Sequence, residues 1–592
     1  MSSEIADKLS SQTRGLVSRF EGRVANFAGR GDLLELLRPL DRGAAEEFAR
    51  GYFGEGEHVA IGIDGSRDFD ERLQMMLFYA NATGYSCPFR VGREMSFDLA
   101  RAARSARLSA SAAIPLWAED FSDVLPDLPE VELELEYSMQ RIPNAFMTLA
   151  ELYLGVQATE RARVIFMDRP LSGTYSTLAR DARLLVRAGS TNLSRLPGAE
   201  DPDALMHLRL ALSIGAPTCA LPTRRRFAAA RALRELMGGE LSRGELARRL
   251  ALDDGQLSRV VKALRRLDED LAGALLEDVD GQSIRLREGA RSYWDRSVAL
   301  AMAYARRVFE EGGSPLNVGG GDDDWLTILD VDTVALVMLQ RLCELSARSR
   351  ILLVGIAKDT TATDISRAVL PFAASEDIVR LKAQPPGMNN DRAFLSILSG
   401  MNREFPTPWR TAGYDSAFST VFALRGGGGF RPARKVVSRE QLFVRGYFQS
   451  GSLGNRGRIR SQVFLFDRAF DPSSSDPASL SSLEVEERDG RTVVAPYYES
   501  GPLCQVSNLV LQVLSLTDNP EVYEAFGHNQ LLYLADKAVK AEIRMMRTAL
   551  RGVADLRLGA ISKREQVYGI MTPYRDQRSE AEASRMREAS RS

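Results

Sequence analysis

Histidine is scarce in this chain of 592 residues: there are three, His58, His207 and His528. A multi-histidine metal centre is thereby excluded, and any metal chemistry must be mostly carboxylate chemistry. Cysteine is nearly as rare. Cys87, Cys219, Cys343 and Cys504 lie far apart; no two have zinc-knuckle spacing, and a disulfide framework is implausible in so long a chain. A reducing cytoplasm is the expected setting. No stretch approaches the ~18 consecutive apolar residues of a membrane helix. The N-terminal residues lack the apolar core of a secretory signal, so no membrane association is expected. An excess of one charge is also missing. Lys and Arg number 77 against 79 Asp and Glu, a net charge of −2, which rules out a uniformly basic coat but not a local basic patch. The glycine run at 426–429 has no Lys-Ser/Thr after it, so it reads as a flexible loop. ATP hydrolysis by the chain itself is not expected.

What is present points to a globular α/β protein. The length suggests about four domain-sized units. A 44% hydrophobic and 26% charged composition argues against disorder or a coiled coil. Residues 1–55 read as charged amphipathic helices. Residues 58–69 begin with alternating Val59, Ile61 and Ile63 and predict a strand ending in a turn. Residues 95–119 are Ala-rich and predict a helix. Residues 131–139 alternate strictly and predict a strand, and 144–162 have helical spacing. Residues 163–173 predict a short buried strand running into a turn, with a helix after it. This alternation predicts an α/β core over 56–190. The pattern resumes over 325–560, with a helix, a strand at 351–357, paired strands at 445–470 and a last helix at 528–550. Residues 310–324 read as a linker, and 561–592 as a charged, solvated tail.

The middle of the chain, 191–309, differs. Within it, 224–290 predicts helix, helix, tight turn, helix and hairpin, the order of a winged helix-turn-helix. Residues 253–255 would form the turn, 256–267 the recognition helix and Asp280-Gly281 the hairpin turn. Residues 224–266 hold twelve basic and five acidic residues, so basic charge is concentrated here.

Two acids follow apolar strands: Asp64 in IGIDGS and Asp168 in VIFMDRPLSG. Such acids are common turn residues, but two or three converging carboxylates bind Mg²⁺ or Mn²⁺ well. Glu151 interrupts an apolar helical stretch; it is either on an exposed face or buried and in need of a partner. Lys358 follows the strand at 351–357 and either contacts a phosphate or is simply solvated. His528 reads as a surface cap of the final helix or as a proton shuttle. Asp330 and Asp332 read as helix N-terminal acids, and 322–324 as linker solvation. Arg456, Arg458 and Arg460 alternate, and so share one strand face that touches a phosphate backbone or keeps an edge soluble.

Five segments come in a recognisable order: IGIDGSR (61–67), AELYLGVQA (150–158), IFMDRPLSG (165–173), VGIAKDTTA (354–362) and GHNQLLYLADKAVK (527–540). Together they resemble the NurA nuclease family, found beside the hexameric ATPase HerA. The resemblance implies an RNase H-like mixed sheet flanked by helices; the basic winged-helix-like insertion between the third and fourth motifs is not part of the minimal family pattern. It implies a manganese or magnesium site held by Asp64, Glu151, Asp168 and Asp536, with Lys358 supporting the scissile phosphate. It also implies DNA end processing with a HerA-like ATPase, and a homodimer. Two positions depart from the family pattern. Arg169 stands in place of a glycine, where a positive φ would be strained, and Asp536 stands where His is common. The expected function is metal-dependent hydrolysis of DNA phosphodiesters. The alternative is a non-catalytic DNA-binding adaptor on the same fold. A transcription regulator built on the winged helix alone would leave over 400 residues without a role.

Overall fold

The computed structural model describes residues 2–565, except 73–74, 118–119, 125–134, 217–226, 272, 280, 322–323, 376–378, 382–384, 417–422, 427–428, 433–442, 452–458, 470–484, 489–490, 495–497, 500–504, 520 and 523–525. Its centre is an eleven-stranded mixed sheet. Strands β1 (Gly56–Arg72) and β2 (Met75–Val91) form a hairpin paired residue for residue from Gly56↔Val91 to Arg72↔Met75. Strand β3 (Ala103–Trp117) pairs antiparallel with β2. On the other side of β1 lie β4 (Val164–Met167) and β5 (Leu352–Ala357), parallel to it and to each other. Then come β7 (Phe464–Ala469), antiparallel to β5, and β6 (Phe443–Gln449), antiparallel to β7, with the short strands Trp409–Thr411 and Leu37–Pro39 beyond them at the edge.

Helices cover both faces. On one lie α1 (Leu135–Ala158), α2 (Leu171–Ala188) and α3 (Ile328–Arg348). On the other lie α4 (Gln505–Leu516) and α5 (Gln530–Glu565). Successive side chains on a strand point to opposite faces, and the cores follow that alternation. Ile61, Ile63, Ile165, Met167 and Leu353 pack with α1 and α3. Ala60, Val164, Phe166, Val354 and Ile356 pack with α4 and the start of α5.

Three expectations fail. Residues 103–117 are the strand β3, not an Ala-rich helix. Leu108, Ala110, Ala112, Ile114 and Leu116 are all buried, a period of two that decides the structure against the helical propensity of alanine. Residues 135–139 belong to α1 and not to a strand, while 131–134 lie outside the described residues. Leu and Glu are good helix formers, and a short alternating run does not distinguish the two structures. Finally, β1 does not end at a turn after Asp64 but continues to Arg72.

The inserted segment forms helices Phe227–Met237, Arg243–Leu250 and Asp254–Asp270 and strands Leu241–Ser242, Leu276–Val279 and Ser283–Leu286. Ser283–Leu286 lies between the other two strands. The helix expected from 256 begins at Asp254. Asp253 caps it through a reciprocal pair with Gln256, at 2.8 and 2.9 Å, and Ala251 supplies the left-handed turn residue. Leu257, Val260, Val261, Leu264 and Leu267 are buried, whereas Arg259, Lys262, Arg265 and Arg266 are exposed. Asp280 lies outside the described residues. Within 310–324, Leu316 and Val318 are buried. Asp324 pairs with Arg195 at 2.6 Å rather than serving solvation alone.

The turn after β4 is held from across the sheet. Asp467 on β7 is fully buried. It accepts the main-chain N–H groups of Leu171 at 2.8 Å and Ser172 at 2.9 Å, and the Ser172 hydroxyl. It therefore caps α2 from a strand nearly 300 residues away in sequence. Arg445 on β6 donates to the same Ser172 hydroxyl at 2.7 Å and pairs with Asp364. Gly355 makes this crossing possible, because a Cβ there would lie 2.5 Å from both the Arg169 carbonyl oxygen and Asp467 Oδ1. Replacing Asp467 with Ala strands two buried N–H donors and is expected to cost about 3 kcal/mol of folding stability. Urea denaturation of the variant beside the parent chain measures this.

Candidate active site

The parallel register sets the site. Ile63 of β1 lies opposite Met167 of β4, and Met167 opposite Gly355 of β5. The Asp168 N–H continues the ladder to the Ile63 carbonyl at 3.1 Å. Asp168 and Lys358 thus follow the ends of β4 and β5, level with Asp64 inside β1, at the carboxyl edge where ligands of α/β sheets are commonly bound. Strand alternation gives Asp64 and Asp168 the α5 side of the sheet. There the Lys358 ammonium donates to Asp168 Oδ2 at 2.9 Å, and His528 Nε2 lies 3.2 Å from Asp168 Oδ1. His528 is 3% exposed and so is not a surface cap. The cap is Asn529, at φ +90°, whose side-chain oxygen accepts the Leu531 and Leu532 N–H groups at 2.9 and 3.3 Å.

Two glycines around Asp64 are required by close approach. A Cβ at Gly62 would lie 2.7 Å from Leu531 Cβ, so this position lets α5 rest on β1. A Cβ at Gly65 would lie 2.4 Å from Glu151 Oε1, so this position makes room for the glutamate. Glu151 is 1% exposed, which removes the exposed-face reading. Its Oε2 accepts Arg169 Nε. Arg169 does not take a positive φ; the expected backbone strain is absent, and its side chain acts instead. Asp536 on α5 pairs with Lys540 at 2.7 Å.

The charges of these groups act on one another. Burial, reinforced by the Asp168, Glu151 and Asp536 carboxylates and opposed by Lys358, pushes the Asp64 carboxyl far above the usual range. Burial also works to raise Asp168, but His528 and Lys358 outweigh it and hold that carboxyl low. Burial raises Glu151 as well, with Arg169 opposing. Among the described residues, no Lys, Arg or His side chain forms a hydrogen bond or ion pair with Asp64. Its carboxylate is met by the Gly65 N–H at 2.7 Å.

A cleft of about 580 Å³ opens beside these groups, lined among others by Lys358, Arg392, His528, Tyr533, Asp536 and Lys537. Lys537 sits 5.1 Å from the centre of the Tyr533 ring. Arg460 also borders the cleft, yet its guanidinium donates to the carbonyls of Ser399, Arg403 and Phe405 at 2.6–2.8 Å. Its observed role is therefore to tie loops together. Arg456 and Arg458 lie outside the described residues. Asp330 does serve the start of α3, accepting the Thr327 N–H at 2.8 Å. Asp332 is instead buried inside the helix, 3.3 Å from Arg141. Sequence reasoning missed Asp467 and Arg445. The signal for Asp467 was present: FLFDRAF has the same apolar run followed by Asp as VIFMDRP.

No family model matches the chain, and no curated protein does either. Solved structures do. The NurA nuclease from Sulfolobus solfataricus matches at 10% identity and a TM-score of 0.37, covering 94% of this chain and 97% of that one. NurA with manganese matches at 12% and 0.32, over 92% and 98%. NurA bound to dAMP and manganese matches at 12% and 0.27, over 82% and 90%. The chain is similar to NurA nucleases of known structure. Likeness this loose says nothing about chemistry, which must rest on the site itself.

Among the described residues, no three His, Cys, Asp or Glu side chains are oriented closely enough to hold a metal ion. Glu151 is turned to Arg169, Asp168 to Lys358 and His528, and Asp536 to Lys540. The donor set nevertheless fits a hard divalent cation in kind. It is all oxygen, it carries excess negative charge, and it includes in Asp64 a carboxylate 6% exposed with no cation against it. The packing around Asp64 leaves no room for one more carbon. Gly65→Ala is expected to lower stability by about 1–3 kcal/mol through overpacking against Glu151, measured by chemical denaturation.

Proposed function

We propose that the chain is a divalent-metal-dependent nuclease that hydrolyses DNA phosphodiesters. The observation that carries this reading is Asp64, a buried carboxyl with no cation in hydrogen-bond contact, beside Asp168 at the end of β4, with cations along the adjoining cleft. Asp64, Glu151, Asp168 and Asp536 are the candidate oxygen donors for Mn²⁺ or Mg²⁺. A bound divalent ion would supply Lewis acidity, polarising the phosphodiester and activating water. The chain's own groups would orient the substrate. Lys358 Nζ, held on Asp168, offers a point charge to the phosphate. Arg392 and Lys537 extend that charge along the cleft. The strand order β3-β2-β1-β4-β5, in which only β2 runs opposite to the rest, supports the RNase H-like reading of the core.

The insertion would hold DNA by its backbone. Its element order, and a sheet with the last strand in the middle, support the winged-helix reading. Arg259, Lys262 and Arg266 recur along one helix at spacings of three and four, on the side away from the buried leucines and valines. A HerA-like hexameric ATPase as partner and a homodimer as the working form remain proposals drawn from the family resemblance. Among the described residues no helix is long and apolar enough to cross a membrane.

One observation favours the second reading, a non-catalytic DNA-binding adaptor. Glu151 and Asp168 already have cationic partners within the chain. Cleavage of end-labelled linear DNA separates the two. The nuclease is expected to degrade DNA with Mn²⁺ or Mg²⁺ and to stop with EDTA. Asp64→Ala and Asp168→Ala should each abolish cleavage while circular dichroism stays unchanged. Retained cleavage in both variants would remove the site assignment, and DNA binding without cleavage would favour the adaptor. The insertion has its own test. Changing Arg259, Lys262 and Arg266 together to Ala should reduce the slope of log affinity against log salt for duplex DNA by about 2–3, read by fluorescence anisotropy.

A further inference from the structure

The ion pair between Arg169 and Glu151 has no role yet, and it lies within the acidic cluster. Strand alternation separates the cluster into two sides. Asp64 and Asp168 project toward α5, where Lys358, His528 and Asp536 stand. Glu151 comes from α1, on the opposite face, and reaches the strand ends through the gap left by Gly65. Arg169, one residue beyond Asp168, projects to that same side and meets it. Both side chains are shielded, Arg169 at 11% and Glu151 at 2% side-chain exposure. An ion pair this dry is hard to break, because separating it would leave a charge buried without a partner.

The pairing points the same way. Glu151 faces Arg169, Asp168 faces Lys358 and His528, and Asp536 faces Lys540. Two-metal sites need carboxylates free to serve two ions about 3.5–4 Å apart.

We propose that Arg169 is a fixed internal cation that keeps Glu151 out of the metal shell, so that the site takes a single divalent ion on the Asp64–Asp168 side. Glu151 is then the counter-ion of Arg169 and not a ligand. This rests on the metal-site reading above, and the test is chosen so that the two can fail separately.

The test counts Mn²⁺ bound to the full chain by electron paramagnetic resonance of the free ion, with affinity from calorimetry. The parent chain should bind one Mn²⁺. Asp64→Asn should lose it. Glu151→Gln should still bind one ion, held more weakly because Arg169 then lacks its counter-ion, whereas a ligand role for Glu151 would cost the ion itself. Arg169→Ala should free Glu151, and the variant should bind Mn²⁺ at least tenfold more tightly or take a second ion. Its melting temperature should rise further on adding Mn²⁺ than that of the parent. If Arg169→Ala does not fold, Glu151→Gln decides alone. Loss of Mn²⁺ in Glu151→Gln, or a parent chain that binds two ions, would overturn this inference and leave the metal site standing. A parent chain that binds no Mn²⁺ would overturn both.

Discussion

A carboxylate taken out of water must be met by donors or cations, or it forgoes its charge. That requirement organises the region around the ends of β4 and β5 and the middle of β1. Asp467 is met by the first N–H groups of α2 and by the Ser172 hydroxyl. Glu151 is met by Arg169, and Asp168 by Lys358 and His528. Each solution joins elements far apart in sequence, so the acids act as the fasteners of the fold where apolar packing runs out. Asp64 is the exception. It is as deeply placed as its neighbours and has the Gly65 N–H but no cation, and it is where the arrangement calls for something from outside.

The arrangement depends on strand register as much as on charge. β1, β4 and β5 are parallel and in register, so Asp64 within β1 and the residues just beyond β4 and β5 share a height. Alternation then sorts them by face. Moving β4 by one residue would exchange the positions of Asp168 and Arg169, putting a guanidinium among the α5-side groups and a carboxylate against Glu151. The apolar residues of β4, buried on both faces, hold that register.

Part of this is legible in the sequence. Apolar runs followed by an acid mark Asp64 and Asp168, because a stretch buried on both faces must be apolar and polarity returns where it stops; that β1 itself runs on to Arg72 is not marked. The short strands β4 and β5 and the helices α2, α3 and α5 follow the same logic. The long hairpin is not legible. β2 and β3 hold far more Ala, Ser and Gly than β-branched residues, and local propensity cannot see the period-two burial that packing imposes on Ala110 and Ala112. Nor is the environment of His528 legible, since Asp168 lies 360 residues away. Arg169 reads in sequence as a backbone difficulty. Its importance is a side-chain contact with a helix whose placement no local pattern discloses.

The unbroken course of β1 through the site gives the cluster two mechanical characters. Asp64 is fixed within a ladder that continues eight residues beyond it, to Arg72 opposite Met75. Its main chain cannot move unless the whole hairpin opens. Lys358 and His528 belong to connecting segments, with ladder support on one side of Lys358 and only the Asn529 cap beside His528. Ladder support in the site is graded, complete at the first aspartate and partial on the opposite bank. Any adjustment to a ligand of the proposed site would fall to the lysine and histidine side, with the aspartate as the stationary jaw of a clamp.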